Sequence, residues 1–331
     1  MTGILQQYFP MIRTGTEVME EIQASRELQI LYNSWSEKRR KEFVDFCTGA
    51  KGVKILYDAF FKEILNPETR PERIESLLST ILGRRVRLLK VLPNDNSRIA
   101  DESSLLIMDI LVELEDGSIA NVETQKLGYR FPGERSACYS ADLLLRQYKR
   151  VRREKSRRNE KFSYADIKQV YTIVFFEKST ADFKAYPGTY IHRFRQQSDT
   201  GLQMDLLQEF IFIPLDVFHS IIHNNGMKID NKEAAWLTFL SEDSPKAIVR
   251  LIESYPEFKE MYNDIYKLCR NMEWIMGIFS EELRILDRNT VQLMIDDMQE
   301  ALDSQKEELM TKMEAIEQQR EVLAEKEGTI E

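Results

Sequence analysis

The chain has 331 residues, of which 43 % are hydrophobic and 31 % charged, with a net charge of −9. That length allows two domains or one with appendages, and the apolar fraction is ample for a buried core. No apolar run approaches the roughly 18 residues of a spanning helix, and the N-terminus lacks a basic stretch followed by an apolar core, so neither a membrane span nor a signal peptide is expected. Cys47, Cys138 and Cys269 are widely spaced and form no CxxC pair, which argues against a zinc ribbon or a disulfide framework and suits a reducing cytoplasm.

Residues 1–50 read as a helical segment, with Thr16 as a candidate cap and Trp35-Ser36-Glu37 opening a helix that reaches about Cys47. Val53–Leu65 has apolar residues close to helical spacing and ends at Asn66-Pro67. Ile74–Leu82 is a further short helix, and Val86–Leu92 alternates enough to be a first strand.

Leu105–Gln125 is the stretch where chemistry is expected. Two apolar runs flank Glu115-Asp116-Gly117, a turn signal that joins antiparallel strands. Asp109 sits inside the first run, where an acid costs free energy unless something pairs with it. In the second run Ile119, Asn121, Glu123 and Gln125 share one face. A two-residue Asp-Gly loop would set Asp109 opposite Thr124. A three-residue loop with Gly117 left-handed would pair Leu114 with Ser118 and set Asp109 opposite Glu123, with Cβ atoms about 5 Å apart. Two carboxylates that close repel, and a divalent cation is the simplest cure. A solvated hairpin face is the competing reading.

Phe131-Pro132-Gly133 precedes a helix from about Glu134 to Val151, on which Arg135, Tyr139, Asp142 and Arg146 form one stripe. Ala137, Ala141, Leu144, Leu145 and Tyr148 are expected on its buried side. Gln169–Phe176 reads as a central strand and Glu209–Ile213 as another. His219 and His223 stand at i, i+4, a zinc-compatible spacing with no third ligand evident. From Asn231 the chain is expected to be helix after helix. Ile295, Leu302, Leu309, Ile316, Leu323 and Ile330 recur at sevens, one seam of a coiled coil that could form a C₂ dimer; the companion seam is poor, and a long solvated helix is the competing reading.

Charge is unevenly placed. From Asp296 onward twelve acids face four bases, a net of −8 that leaves the preceding residues near neutral. Arg146–Lys161 carries nine bases against two acids. A cluster of this kind suits phosphate contacts, although a solvated helix end would look similar.

Asp109 followed by Glu123-Thr124-Gln125 resembles the D…E-x-Q form of the PD-(D/E)XK nucleases, in their recombination-promoting nuclease and transposase branch. Phe60-Phe61-Lys62-Glu63, Arg135–Ala141 and the strand Val170–Phe176 extend the likeness. The resemblance implies a restriction-endonuclease-like α/β core, a mixed sheet flanked by helices, over residues 51–215. A helical segment (1–50) would precede it, and a helical region (216–290) and an acidic coiled-coil tail (291–331) would follow.

The resemblance also implies Mg²⁺ (or Mn²⁺) held by Asp109 and Glu123, with the Thr124 carbonyl and Glu63 as further ligands and Gln125 positioning the attacking water. The expected partner is DNA, contacted by Arg135, Tyr139, Lys149, Arg150, Arg152 and Arg153. Gln125 stands where the wider superfamily has Lys, and an amide carries no charge to stabilise hydroxide. No GxxxxGKS, GxGxxG, GxSxG or HExxH motif points elsewhere. The function expected is a metal-dependent DNA endonuclease; the alternative is an inactive nuclease-fold DNA-binding or assembly module.

Overall fold

The turn that the sequence leaves open is a three-residue loop. In the computed structural model, Gly117 has φ 84°, its N–H donates to the Leu114 carbonyl at 2.9 Å, and the Leu114 N–H donates to the Ser118 carbonyl at 2.8 Å. Left-handed backbone favours glycine because any other side chain crowds the carbonyl. A Cβ there would also meet Lys168 Cγ at 3.2 Å. Gly117→Ala is therefore expected to cost about 1–2 kcal/mol in urea unfolding. The structure describes residues 3–92, 110–126 and 132–284, then 298, 302, 305, 306 and 309–313.

In chain order come α1 (Ile4–Tyr8), α2 (Gly15–Ala24), α3 (Arg26–Ser34), α4 (Glu37–Cys47), α5 (Asp58–Ile64) and α6 (Pro71–Leu82). Strands β1 (Leu88–Val91), β2 (Ile110–Leu114) and β3 (Ile119–Gln125) lead into the long helix α7 (Pro132–Arg157). Next are β4 (Val170–Phe176), α8 (Ala181–Lys184), β5 (His192–Phe194) and β6 (Gln208–Pro214). Helices α9 (Leu215–Asn224), α10 (Lys232–Ser241), α11 (Pro245–Ser254) and α12 (Glu257–Leu268) follow, with residues 272–283 helical after them. No described helix is long and apolar enough to cross a membrane.

The sheet has the order β1-β2-β3-β4-β6-β5. β3, β4 and β6 run parallel, while β1, β2 and β5 join antiparallel. This is the mixed α/β sheet with flanking helices that the sequence implies. The central parallel strands are buried on both faces, as parallel strands usually are. On one face Ala120, Val122, Ile173, Phe175, Ile211 and Ile213 join a core that runs from Leu5 to Phe279 and takes in the helices before and after the sheet. The other face carries two small apolar clusters, around Leu111, Ile119, Leu143 and Val170 and around Val174, Phe176, Phe183 and Phe212.

Several local expectations need correction. The cap of α2 is Thr14, not Thr16, because Thr14 and Glu17 form a reciprocal capping box. α5 begins at Asp58 rather than Val53. Upstream, the Gly52 N–H donates to the Asp243 carbonyl at 2.6 Å, and a Cβ on Gly52 would lie 2.3 Å from Ile248 Cδ1, so tertiary contact claims that backbone. α7 buries Ser136, Tyr139, Ser140, Leu143 and Gln147, whereas Ala137, Ala141 and Leu145 are exposed. The apolar count chose the wrong face because α7 lies on polar groups of the sheet. Gln147 donates to the Gly117 carbonyl at 3.3 Å and accepts from the Lys168 N–H at 2.7 Å, and Gln208 donates to the Ser140 hydroxyl at 2.9 Å.

A buried ion pair fastens α6 to α12. Arg73, 7 % exposed, donates to the Ile64 carbonyl at 3.2 Å and to Asp264 at 2.5 Å. Partial burial pushes the Asp264 carboxyl up, but hydrogen bonds from Arg73 and Lys267 outweigh it and hold the group below its ordinary 3.8. Arg73→Ala removes a buried guanidinium and its bonds to Ile64 and Asp264 but leaves Lys267 3.3 Å from that carboxylate, so it should cost about 2 kcal/mol near neutral pH. A depressed carboxylate stabilises the fold above its unfolded pKa, and that stability is lost as pH falls through the folded one. The difference between wild type and Arg73→Ala in urea midpoint should therefore narrow in acid.

Residues 1–283 form one compact unit and residues 284–331 a second. In the second, the described residues are helical, and Leu302 and Leu309 are exposed.

Candidate nuclease site

β3 ends in a patch of buried polarity. Asn121, Glu123 and Gln125 are 0 %, 4 % and 5 % exposed and alternate along one face of the strand. The register places Asn121 beside Thr172, Glu123 beside Val174 and Gln125 beside Phe176 of β4. Burying an amide, a carboxylate and a second amide together is costly unless each finds a partner. Asn121 Nδ2 donates to Glu123 Oε1 at 2.6 Å, which orients the carboxylate. Neither amide atom of Gln125 has a hydrogen-bond partner among the described residues, although both are buried. A buried carboxylate beside an amide with spare hydrogen-bonding capacity is a donor set that fits a hydrated hard cation.

The hairpin register follows from the same turn. Ile110 pairs with Val122 and Leu111 with Asn121, the alignment of the three-residue loop. Asp109 itself lies outside the described residues. Thr124 follows Glu123 on β3 and is half-buried. Glu63 is exposed on α5. The structure thus brings Glu123, Thr124 and Gln125 together with Asn121, a neighbour that the sequence reading placed on the right face without assigning it a role.

Lys126, directly after Gln125, is engaged elsewhere. Its ammonium is ion-paired with Glu282 and lies 5.0 Å from the centre of the Tyr57 ring. Glu282, 5 % exposed, also accepts from the Asp58 N–H at 2.7 Å. The end of β3 is thereby anchored to α5 and to the last helix of the unit.

A family model described as PD-(D/E)XK nuclease family transposase matches residues 55–294. The chain belongs to that family. No curated protein and no solved structure matches it. Membership makes the family's nuclease and transposase chemistry the frame for this PD-(D/E)XK protein, and its matched region contains the whole sheet.

On α7 the expected DNA contacts divide. Lys149, Arg152 and Arg153 are exposed. Arg150 instead reaches Glu113 of β2 at 3.0 Å, beside Lys90 at 3.1 Å from the same carboxylate. Tyr139, expected on an exposed stripe, is 4 % exposed, with the Arg135 guanidinium 5.0 Å from its ring centre. It is part of the packing between helix and sheet. Arg146, Lys149, Arg153 and Arg157 border a groove of about 360 Å³ floored by Leu111 and Ile119. Arg157 joins this rim through helical periodicity, a signal present in the sequence but read there only as charge density, whereas Arg146 was placed on the stripe with Arg135 and Tyr139.

Proposed function

We propose that this chain is a Mg²⁺-dependent DNA endonuclease of the recombination-promoting type. The observation that carries the reading is Glu123 buried beside a Gln125 amide that has no hydrogen-bond partner among the described residues, at the end of a strand inside the region matched by the nuclease family model. Asp109 and Glu123 would hold the ion, with the Thr124 carbonyl and Glu63 as further oxygen donors. When bound, it polarises the phosphate and lowers the pKa of water. Asn121 keeps the Glu123 carboxylate in one orientation. The Gln125 amide oxygen accepts a hydrogen bond from the attacking water and aims it at phosphorus. The water oxygen bonds to phosphorus and gives up a proton to solvent, the P–O ester bond breaks, and the leaving oxygen takes a proton from solvent, because Gln125 can orient but not titrate. Lys149, Arg152 and Arg153 track the phosphate backbone, and the heptad seam of the tail pairs two copies.

The test is incubation of supercoiled DNA with Mg²⁺ or Mn²⁺ and wild type, Asp109→Ala or Glu123→Ala. Nicking by wild type alone supports the reading; equal nicking by all three sinks it. The neutral amide at Gln125 favours one other reading, a nuclease fold retained for DNA binding. That reading predicts salt-sensitive binding without cuts.

A further inference from the structure

Away from the end of β3, the structure brings a carboxylate to the histidine pair. The i, i+4 spacing puts His219 and His223 on one face of α9, with ring centres 4.1 Å apart. Their Nε2 atoms lie 3.2 and 3.1 Å from the same oxygen, Oε1 of Glu242, at the C-cap of α10. The three donor atoms fall within 4.8 Å of one another. A tetrahedral zinc with bonds of about 2.0 Å holds its ligand atoms about 3.3 Å apart, so a small closure of the imidazoles suffices.

Glu242 is 3 % exposed, and among the described residues its ion-pair partners are these two imidazoles. A carboxylate buried that deeply calls for a compensating charge. We propose that His219, His223 and Glu242 bind one zinc-class divalent ion, with water as fourth ligand. The carboxylate and His219 line a cavity of about 420 Å³ that has room for that water. Two imidazole nitrogens select Zn²⁺, Co²⁺, Ni²⁺ or Cu²⁺ over Mg²⁺, which prefers oxygen, so this ion differs in kind from the one proposed at Glu123. Bound there, it ties α9 to the end of α10, which stabilises the folded state by mass action.

Titration of Co²⁺ into metal-stripped full-length Glu123→Gln protein tests the site with the nuclease motif disabled, so the outcome is independent of the endonuclease reading. The expected result is one equivalent with the visible absorption of tetrahedral cobalt, displaced by Zn²⁺. Adding His219→Gln and His223→Gln should weaken binding by about 100-fold, since losing even an outer-shell partner costs up to that much. Glu242→Gln, with folding checked by circular dichroism, serves as a second variant. Absence of the tetrahedral spectrum, or equal binding by the histidine variant, overturns the site and leaves two imidazoles hydrogen-bonded to a carboxylate.

Discussion

Glu123→Gln is expected to lower Mg²⁺-dependent nicking by about 1000-fold with little loss of fold. Stabilisation of transition-state charge by a metal is worth several kcal/mol, and about 4 kcal/mol corresponds to three decades of rate. The substitution keeps the side-chain volume and an oxygen able to accept from Asn121 Nδ2, now 2.6 Å away, so it removes charge while leaving shape. Packing around Asn121 and Val174 should therefore survive. Gln125→Ala should have a smaller effect, about 100-fold, because misplacing the attacking water by about 1 Å costs roughly that much. Single-turnover rates at saturating Mg²⁺ separate the two. The Glu123 variant should gain little from more metal, whereas the Gln125 variant should saturate normally at a reduced rate. If Gln125→Ala cuts as fast as wild type, the amide is not holding the water.

The second large effect concerns binding. Replacing Lys149, Arg152 and Arg153 together by Ala should weaken DNA affinity by about 100-fold at moderate salt. The slope of log affinity against log salt should become shallower by about 2.7, since each phosphate contact contributes about 0.9. All three side chains are exposed on α7, so unfolding midpoints should barely move. Arg150 is left out deliberately: its guanidinium is 3.0 Å from Glu113, a carboxylate 8 % exposed, and truncating it would leave that buried charge to Lys90 alone and cost stability. Measured by fluorescence anisotropy over a salt series, an unchanged slope would mean that DNA takes another path over the protein.

Much of the fold was legible because local signals agreed with one another. Ser36 does cap α4, Ile74–Leu82 lies within α6, and the β-prone run at Val170–Phe176 is the central strand. Where the reading failed, long-range partners had intervened. The face of α7 was misjudged because Gln147 and Ser140 bond to Gly117, Lys168 and Gln208, residues from the turn, a loop and another strand. The three-residue edge strand β5 was missed because His192, Arg193 and Phe194 become a strand only through pairing with β6.

By itself the sequence determined the alternation that puts Asn121, Glu123 and Gln125 on one face, because side-chain direction along a strand has period two whatever surrounds it. It also determined the cationic run on α7 and the i, i+4 histidine pair, both consequences of helical period. Only the tertiary structure decided the turn length, since both loops suit Gly117 and the choice rests on how the hairpin joins β4 and α7. Only the tertiary structure brought Glu242 to the histidines, as no local rule links residues 19 positions apart on separate helices. It also decided that Lys126 is held by Glu282, because which cation meets which carboxylate is set by packing, and packing is not written in any short stretch of chain.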